Sequence, residues 1–526
     1  MKNLLFVFFL FGGSCFCQVN LSSSNIPIII ITTPVGQVIN DVNRIVCDMG
    51  IIDNSTSLNL INDPFNGYIG KIAIEIRGST SQQYPKKSYG FETQTILGTN
   101  NNVSLLGLPI ENDWILNGPY TDKTMLRDVL TYDLSQKMGH YASRYKFCEL
   151  IINNVYLGVY ILLERIKRDN DRVDIANLDI DDLAGDSLTG GYIIKVDKLT
   201  GEPGTSWNSN FNNEVVFQFH DPETDELQPQ QITYLQNVIS DFEYSIQVDP
   251  ELNYASFIEP TSFYDFFLLQ ELGRTGDGYR SSSFMYKDKN SGDFQGKLVA
   301  GPMWDFNLSY GNADYCDAEL TTGWQYNFDE ICNFTSAIPF WWERLLDAPS
   351  YRNGLKCRWN ELRQGILHTD SINYWIDSMS LLLTEPRIRN FQKWPIIGVY
   401  VNWNGFVGNT YEEDLAFFKD YIATRANWID ANLPGICDLS VNLINGENDI
   451  DVYPNPSNDN VNIASNERLK SIEIYDQTGK VISTFDLNNE SLKTIQISLL
   501  PYNSGVYFLK ITLADDRVSQ RRFVKQ

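Results

Sequence analysis

After Pro434 the chain changes character, and that break limits what it can fold into. Asp438 to Asp451 reads DLSVNLINGENDID, a polar and acidic run too poor in apolar residues to build a core. Beyond it come short alternating stretches, SIEIYDQTGKVIS and IQISLLPYNSGVYFLKIT, separated by turn-forming residues. Alternation with period two between such turns predicts a small all-β sandwich. The chain has 526 residues, too many for one ordinary core. The expected division is a leader at 1–17, a main body at 18–433, a linker at 434–448 and a terminal β domain at 449–526.

The leader reads MKNLLFVFFLFGGSCFCQVN. Lys2 precedes an apolar stretch from Leu4 to Phe11, and small residues follow. That stretch is too short to span a bilayer and predicts a secretory signal peptide cut near Cys17–Gln18. No later stretch approaches membrane-spanning length, so no transmembrane segment is expected in the mature protein. The formal charge of −25 repels phosphates and argues against nucleic acid as a partner. Three His argue against a His-built metal centre. Of eight Cys, Cys15 and Cys17 belong to the leader. The other six form no CxxC pair, which argues against a zinc ribbon. In an exported protein they are free to form disulfides, and Cys316 with Cys332, flanking a polar loop, is the best candidate pair.

The body reads as mixed α+β, turning mostly helical toward its end. IPIIIITT, KIAIEIRGST, KKSYGFET and GGYIIKVDK are predicted strands. RYKFCELIINNVYLGVYILLERI predicts two strands around a turn at Asn153–Asn154. From Asp122 to Met138 the residues Met125, Val129, Leu130 and Leu134 share a helical face. SFYDFFLLQELG predicts a buried helix stopped at Gly273. SSSFMYKDKNSGDFQGKLVAGPMW predicts a hairpin with its polar turn at Lys287–Gly296. The run ends in WDFN, where Asp305 sits between Trp304 and Phe306. A buried strand has no use for a carboxylate there, whereas a metal or phosphate site does.

The tail resembles the C-terminal sorting domain of the type IX secretion system of Bacteroidetes. The matching pieces are Tyr453-Pro454-Asn455-Pro456, IYDQTGKVI, Ser504-Gly505-Val506-Tyr507 and the final RRFVKQ. The resemblance implies handling by that machinery and a secreted or outer-surface location. The body resembles the CotH kinase family. The matching blocks, in order, are IRGSTSQQYPKKSYGFET, DWILNGPYTDKTMLRDVL, INNVYLGVYILLERI, GGYIIKVD, DGYRSSSFMYKDK and GKLVAGPMWDFNLSYGN. This resemblance implies a divergent, two-lobed protein-kinase-like domain. It also implies ATP-dependent phosphorylation of Ser or Thr in a protein substrate, with Mg2+ as cofactor and Mn2+ or Ca2+ as alternatives.

Phosphoryl transfer needs a cation near the phosphates, metal ions on them and a group that positions the acceptor hydroxyl. By resemblance Asp305 is the metal-binding acid at the end of the hairpin. Asp277, in GRTGDGYRSS, is the second catalytic acid, orienting the hydroxyl or assisting the metal. Lys87 is the strand lysine facing the phosphates, with Lys86 as the alternative, because neighbours on a strand face opposite ways. Arg77, Gly78, Ser79 and Ser81 form a loop that offers N–H groups to phosphate. It contains no GxGxxG. Glu164 is expected to hold the lysine or lie near the adenine, or, like Arg127, to make a structural salt bridge. Asn307 is placed to orient Asp305. Two positions depart from kinase patterns: Thr275 stands two residues before Asp277, and Ser282 five residues after it, where the patterns carry Asn. Two other classes compete. One is a non-catalytic surface or adhesion protein on a degenerate kinase fold. The other is a glycoside hydrolase using Asp277 and Asp305 as its carboxylate pair.

Overall fold

The computed structural model describes residues 19–437 except 55, 201–203, 293 and 333. It also describes residues 450–526 except 466, 477–479, 488–491 and 515–517. The expected signal peptide and most of the expected linker lie outside the described residues. Contacts divide the chain into Met1–Cys437 and Asp438–Gln526.

In the first unit seven strands close into a barrel. In spatial order they are Ile28–Thr32, Ile45–Ile52, Tyr68–Arg77, Ser88–Gln94, Asp113–Asn117, Val155–Glu164 and Tyr145–Ile152. Each pairs antiparallel with the next, and with an odd number the closing pair must run parallel. Ile28 to Ile31 indeed align in parallel with Glu149 to Ile152. Alternation sorts the side chains. Trp114, Leu116 and Leu162 point into the barrel with Phe91 and Ile74. Ile115, Ile161 and Leu163 point outward and join the larger core of helices and sheet. In Asp113–Asn117 and Val155–Glu164 both faces are apolar because both are covered, whereas Ser88–Gln94 alternates because only one of its faces is. The α+β class is as the sequence indicates, but the expectation of two kinase-like lobes does not include a closed barrel.

The Asn153–Asn154 turn has φ of 50° and 61°, as a two-residue hairpin of this kind requires. The helix predicted over Asp122–Met138 is shorter, spanning Arg127–Lys137. Met125 has a φ of 62°, and the Asp122 carboxylate takes the N–H groups of Thr124 and Arg127, which delays the helix start.

A five-stranded antiparallel sheet follows, ordered Ser206–Asn208, Val216–Asp221, Tyr192–Val196, Ser283–Lys287 and Leu298–Ala300. Its last two strands are the predicted hairpin. Val196 aligns with Ser283, and Met285 with Ala300. The chain therefore leaves Val196, enters Ser283 and leaves Ala300 at one end of the sheet. The helix Pro260–Gly273, buried along most of its length, stops at Arg274 in the left-handed region, φ 46°. Its carboxylate Glu271 and Arg425 of the helix Tyr411–Asn432 are both fully buried, with Nη2 3.0 Å from Oε2. Disulfides join Cys316 to Cys332 and Cys357 to Cys437, and Cys47 and Cys148 are buried thiols.

The second unit is all β. A three-stranded and a four-stranded antiparallel sheet share one core that includes Val461, Ile463, Ile472, Leu509 and Phe523. This is the sandwich the alternation predicts.

Candidate functional site

The common end of the five-stranded sheet gathers the acids. Asp197 and Lys198 directly follow the strand Tyr192–Val196. Gln218, itself buried, donates Nε2 to the carbonyls of Asp197 (3.1 Å) and Lys198 (2.8 Å), which pins that corner. Asp277 lies in the turn after the helix Pro260–Gly273. Close packing dictates its glycine neighbours. A Cβ on Gly276 would lie 2.2 Å from the Tyr315 ring, and one on Gly278 would lie 1.7 Å from Gln325 Nε2. Asp305 follows the strand Leu298–Ala300 with a φ of 66°, a left-handed conformation that Asp adopts more readily than most residues.

Three contacts keep that conformation. The Phe306 N–H donates to Asp128 Oδ1 at 2.6 Å, and the Asp305 N–H lies 3.5 Å from the Tyr132 hydroxyl. Tyr132 stacks on Trp304 with ring centroids 5.8 Å apart. Phe306 is fully buried on the other side. The Ser282 hydroxyl lies 3.4 Å from Asp305 Oδ2.

The electrostatics tie these groups into one site. Burial, then the charges of Asp277 and Asp197, push Asp305 up to about 6, while Lys198 and the Ser282 hydroxyl pull it down. Burial also raises Asp277. Lys198 and Arg280 oppose that rise, Asp197 adds to it, and the Tyr315 hydroxyl, hydrogen-bonded to the carboxylate, lowers it. Asp305 is exposed to solvent, and Asp277 is partly exposed. Asp128, beneath it, is pushed up to about 8 by burial and by Asp305. Among the described residues no group of three or more His, Cys, Asp or Glu is arranged to hold a metal ion.

The structure brings together Asp277 and Asp305, and it adds Asp197 and Lys198, which reading the sequence missed. The available signal was an acid and a base closing the strand GGYIIKVDK. The loop after the strand Tyr68–Arg77 reaches the same place, because Lys198 Nζ donates to Thr80 Oγ1 at 3.3 Å. Ser79 Oγ lies 3.4 Å from Thr200 Oγ1. Gly78 has a φ of 101°, and a Cβ there would lie 2.1 Å from Ser81 Oγ, so the loop requires glycine. The Arg77 guanidinium sits 5.6 Å from the centre of the Trp304 ring.

The lysines of the YPKKSYG block lie differently. Lys87 donates to the Gln82 carbonyl and closes the base of the same loop. Lys86 is the buried one. Its Nζ donates to Val159 O (2.6 Å) and Asn390 Oδ1 (2.9 Å), and burial pulls it down to about 7. Glu164 is committed to Arg144, with Oε1 2.8 Å from Nη2. Arg127 pairs with buried Asp122 at 2.5 Å. Asn307 donates to Thr121 Oγ1 at 3.0 Å.

The family model described as CotH kinase protein matches residues 74–429, a span that holds every residue of this site. That of the secretion system C-terminal sorting domain matches residues 451–526. A comparison with curated proteins finds no match. The sorting domain marks the protein for type IX secretion to the cell surface or outside. No described helix is long and apolar enough to cross a membrane. With the first match spanning more than half its length, the chain belongs to the CotH kinase protein family.

Proposed function

We propose that the chain is a secreted, divergent protein kinase that transfers the γ-phosphoryl group of ATP to a Ser or Thr hydroxyl of a protein. The observation that carries this reading is the placement of Lys198 and Asp305 at one end of the five-stranded sheet, with Asp277 in the turn leading to Ser283 and Lys198 on Thr80 of the Gly78–Ser81 loop.

A divalent cation fits the donor set. Asp305 is a hard oxygen donor whose ionised form is disfavoured by burial, and then by Asp277 and Asp197, until positive charge arrives. Mg2+ commonly takes one or two carboxylates and fills its shell with phosphate oxygens and water. Asp305 would hold it, with Asp277 nearby. Bound there, the metal neutralises charge on the transferring phosphates.

The chain's own groups do the rest. Lys198, fixed by Thr80, places an ammonium against the phosphates. The N–H groups of Gly78 to Ser81 cradle them. Asp277 accepts a hydrogen bond from the acceptor hydroxyl and takes its proton as the oxygen attacks the γ-phosphorus and the bond to the β–γ bridging oxygen breaks, releasing ADP. Its raised affinity for protons suits that task. Lys87 shapes the loop from its base.

The test is transfer from labelled ATP to a generic acceptor by purified protein. Wild type is compared with Asp277→Ala, Asp305→Ala, Lys198→Ala and Lys87→Ala. Loss of labelling in the first three supports the assignment. Equal labelling in every variant removes it, and nucleotide binding without transfer identifies a non-catalytic relative.

A further inference from the structure

The Cys316–Cys332 disulfide lies against Asp277, the proposed base. Cys316 follows Tyr315, whose hydroxyl bonds the Asp277 carboxylate. Its Sγ accepts Arg280 Nη2 at 3.4 Å. The same nitrogen donates to the carbonyl of Gly276, the chain neighbour of Asp277. Cys316 and Asp317 hold φ of 57° and 54°, consecutive left-handed residues of a kind uncommon outside glycine.

The other end of the cross-link holds the far side of Arg280. Asp329 Oδ1 lies 3.6 Å from Arg280 Nη1, and the centre of the Phe334 ring lies 4.1 Å from the guanidinium. These two residues flank Cys332 in a thinly covered stretch, where Ile331 and Phe334 are 49% and 44% exposed. The stretch before it has its own anchors. Arg274 Nη1 takes the carbonyls of Asp317, Leu320 and Thr322, and the Glu271 carboxylate takes the N–H groups of Gln325 and Tyr326. The disulfide is the covalent tie between the Asp329–Phe334 side of Arg280 and its Tyr315 side.

Arg280 is almost wholly buried, and a buried guanidinium needs a carboxylate. Asp277 and Asp329 are the carboxylates that favour its charge against burial. With the bond closed, Asp329 and Phe334 hold the guanidinium on their side. With it open, Asp329 and Phe334 are released and Arg280 turns onto Asp277. A base in that ion pair no longer takes the proton of the acceptor hydroxyl.

We infer that the Cys316–Cys332 disulfide is a redox gate on phosphoryl transfer, acting through Arg280: the dithiol chain transfers slowly and closing the bond makes it competent. This rests on the kinase reading. Closure is a thiolate attack on a disulfide donor such as oxidised glutathione. The S–S bond forms, two protons leave the cysteines, and two electrons pass to the donor, which departs as two thiols. A chain made among reducing thiols and marked for secretion is thereby kept silent until export.

The test measures transfer kinetics across mixtures of reduced and oxidised glutathione, well below the melting temperature of either form. It uses the full chain carrying Cys357→Ser/Cys437→Ser, so that one bond responds. Cys316→Ser/Cys332→Ser, which keeps the other bond, is a second, permanently open form. Opening the gate bond is expected to lower kcat about 10²-fold, the loss of one acid–base group, with KM for ATP within about twofold. Adding Arg280→Met brings the two redox forms within about threefold of each other, because the competing cation is gone.

Equal kcat in the two redox forms, whatever their melting points, overturns the gate and leaves a plain staple. A gap undiminished by Arg280→Met overturns it as well. Hydrogen exchange of the Gly276–Ser283 backbone, read without nucleotide, separates the gate from the reading beneath it. Exchange that changes with redox state, in a chain that transfers nothing in either state, keeps the Arg280 device and removes the kinase reading. Transfer that ignores redox state removes the gate alone.

Discussion

Asp128 Oδ1 accepts the backbone N–H of Phe306 at 2.6 Å, so a helix attached to the barrel fixes the loop that presents Asp305. The two residues are 178 positions apart in sequence. Asp128 touches no substrate in this reading. It is a positioning residue, and its removal should act through the loop.

Asp128→Ala is therefore expected to leave a buried N–H unpaired and to cost about 1–3 kcal/mol of stability. Asp128→Asn keeps an acceptor oxygen and should restore most of that stability and of the transfer rate. Chemical denaturation alongside transfer kinetics checks both. Equal kcat in the Ala and Asn variants would show that the clamp does not govern Asp305.

The proposed metal site at Asp305 should show an acid limb. Its proton affinity is raised to about 6, so the ligand is an ionised carboxylate above that pH and a neutral acid below it. Metal affinity should fall as pH drops through about 6, and the raised Asp277 would steepen the loss in turnover. Calorimetric titration of Mn2+ between pH 5 and pH 8 reads this, and a flat profile contradicts it.

Stability in the absence of metal runs the other way. A carboxylate whose folded value lies above its unfolded one binds more protons in the native state between about 4 and 6, so stability falls as pH rises through that window. Asp305→Asn should stabilise the protein at pH 7.5 by about 1 kcal/mol after allowance for solvent screening, and not at pH 4. Thermal melting at both values checks the sign.

Lys198→Ala is expected to reduce kcat/KM by about 10²- to 10³-fold, the usual effect of removing one group that stabilises transition-state charge. Lys87→Ala, which removes only the brace on the Gln82 carbonyl, should stay within about tenfold of wild type. The reverse order would return the phosphate-facing role to Lys87.

The two disulfides should differ in weight. Their sequence separations are 16 for Cys316–Cys332 and 80 for Cys357–Cys437. Loop-closure entropy gives about 3 and about 4.5 kcal/mol respectively. Double Ser variants of each pair, compared by denaturant midpoint, test that order.

Deleting residues 449–526 should abolish export across the outer membrane while leaving the first unit folded, since the two units have separate cores. Cell fractionation reads the outcome, and normal secretion of the truncated chain would contradict it.

Local physics was readable in the sequence by itself. Alternation marked the strand at Tyr68–Arg77, and Asn153–Asn154 marked the hairpin of Tyr145–Ile152 with Val155–Glu164, because side-chain period and turn conformation depend on neighbouring residues alone. The odd carboxylate of WDFN and the Gly-Asp-Gly turn stood out for the same reason, whereas the Cys316–Cys332 pair was suggested by its place on either side of a polar loop. Only the tertiary structure closed the barrel, since closure depends on a parallel pairing between strands more than 100 residues apart. It alone set Lys198 against Thr80, buried Lys86 rather than Lys87, and placed Asp128 under Asp305. Those outcomes turn on charges and hydrogen bonds between segments distant in the chain, and such contacts leave no periodic trace in either partner.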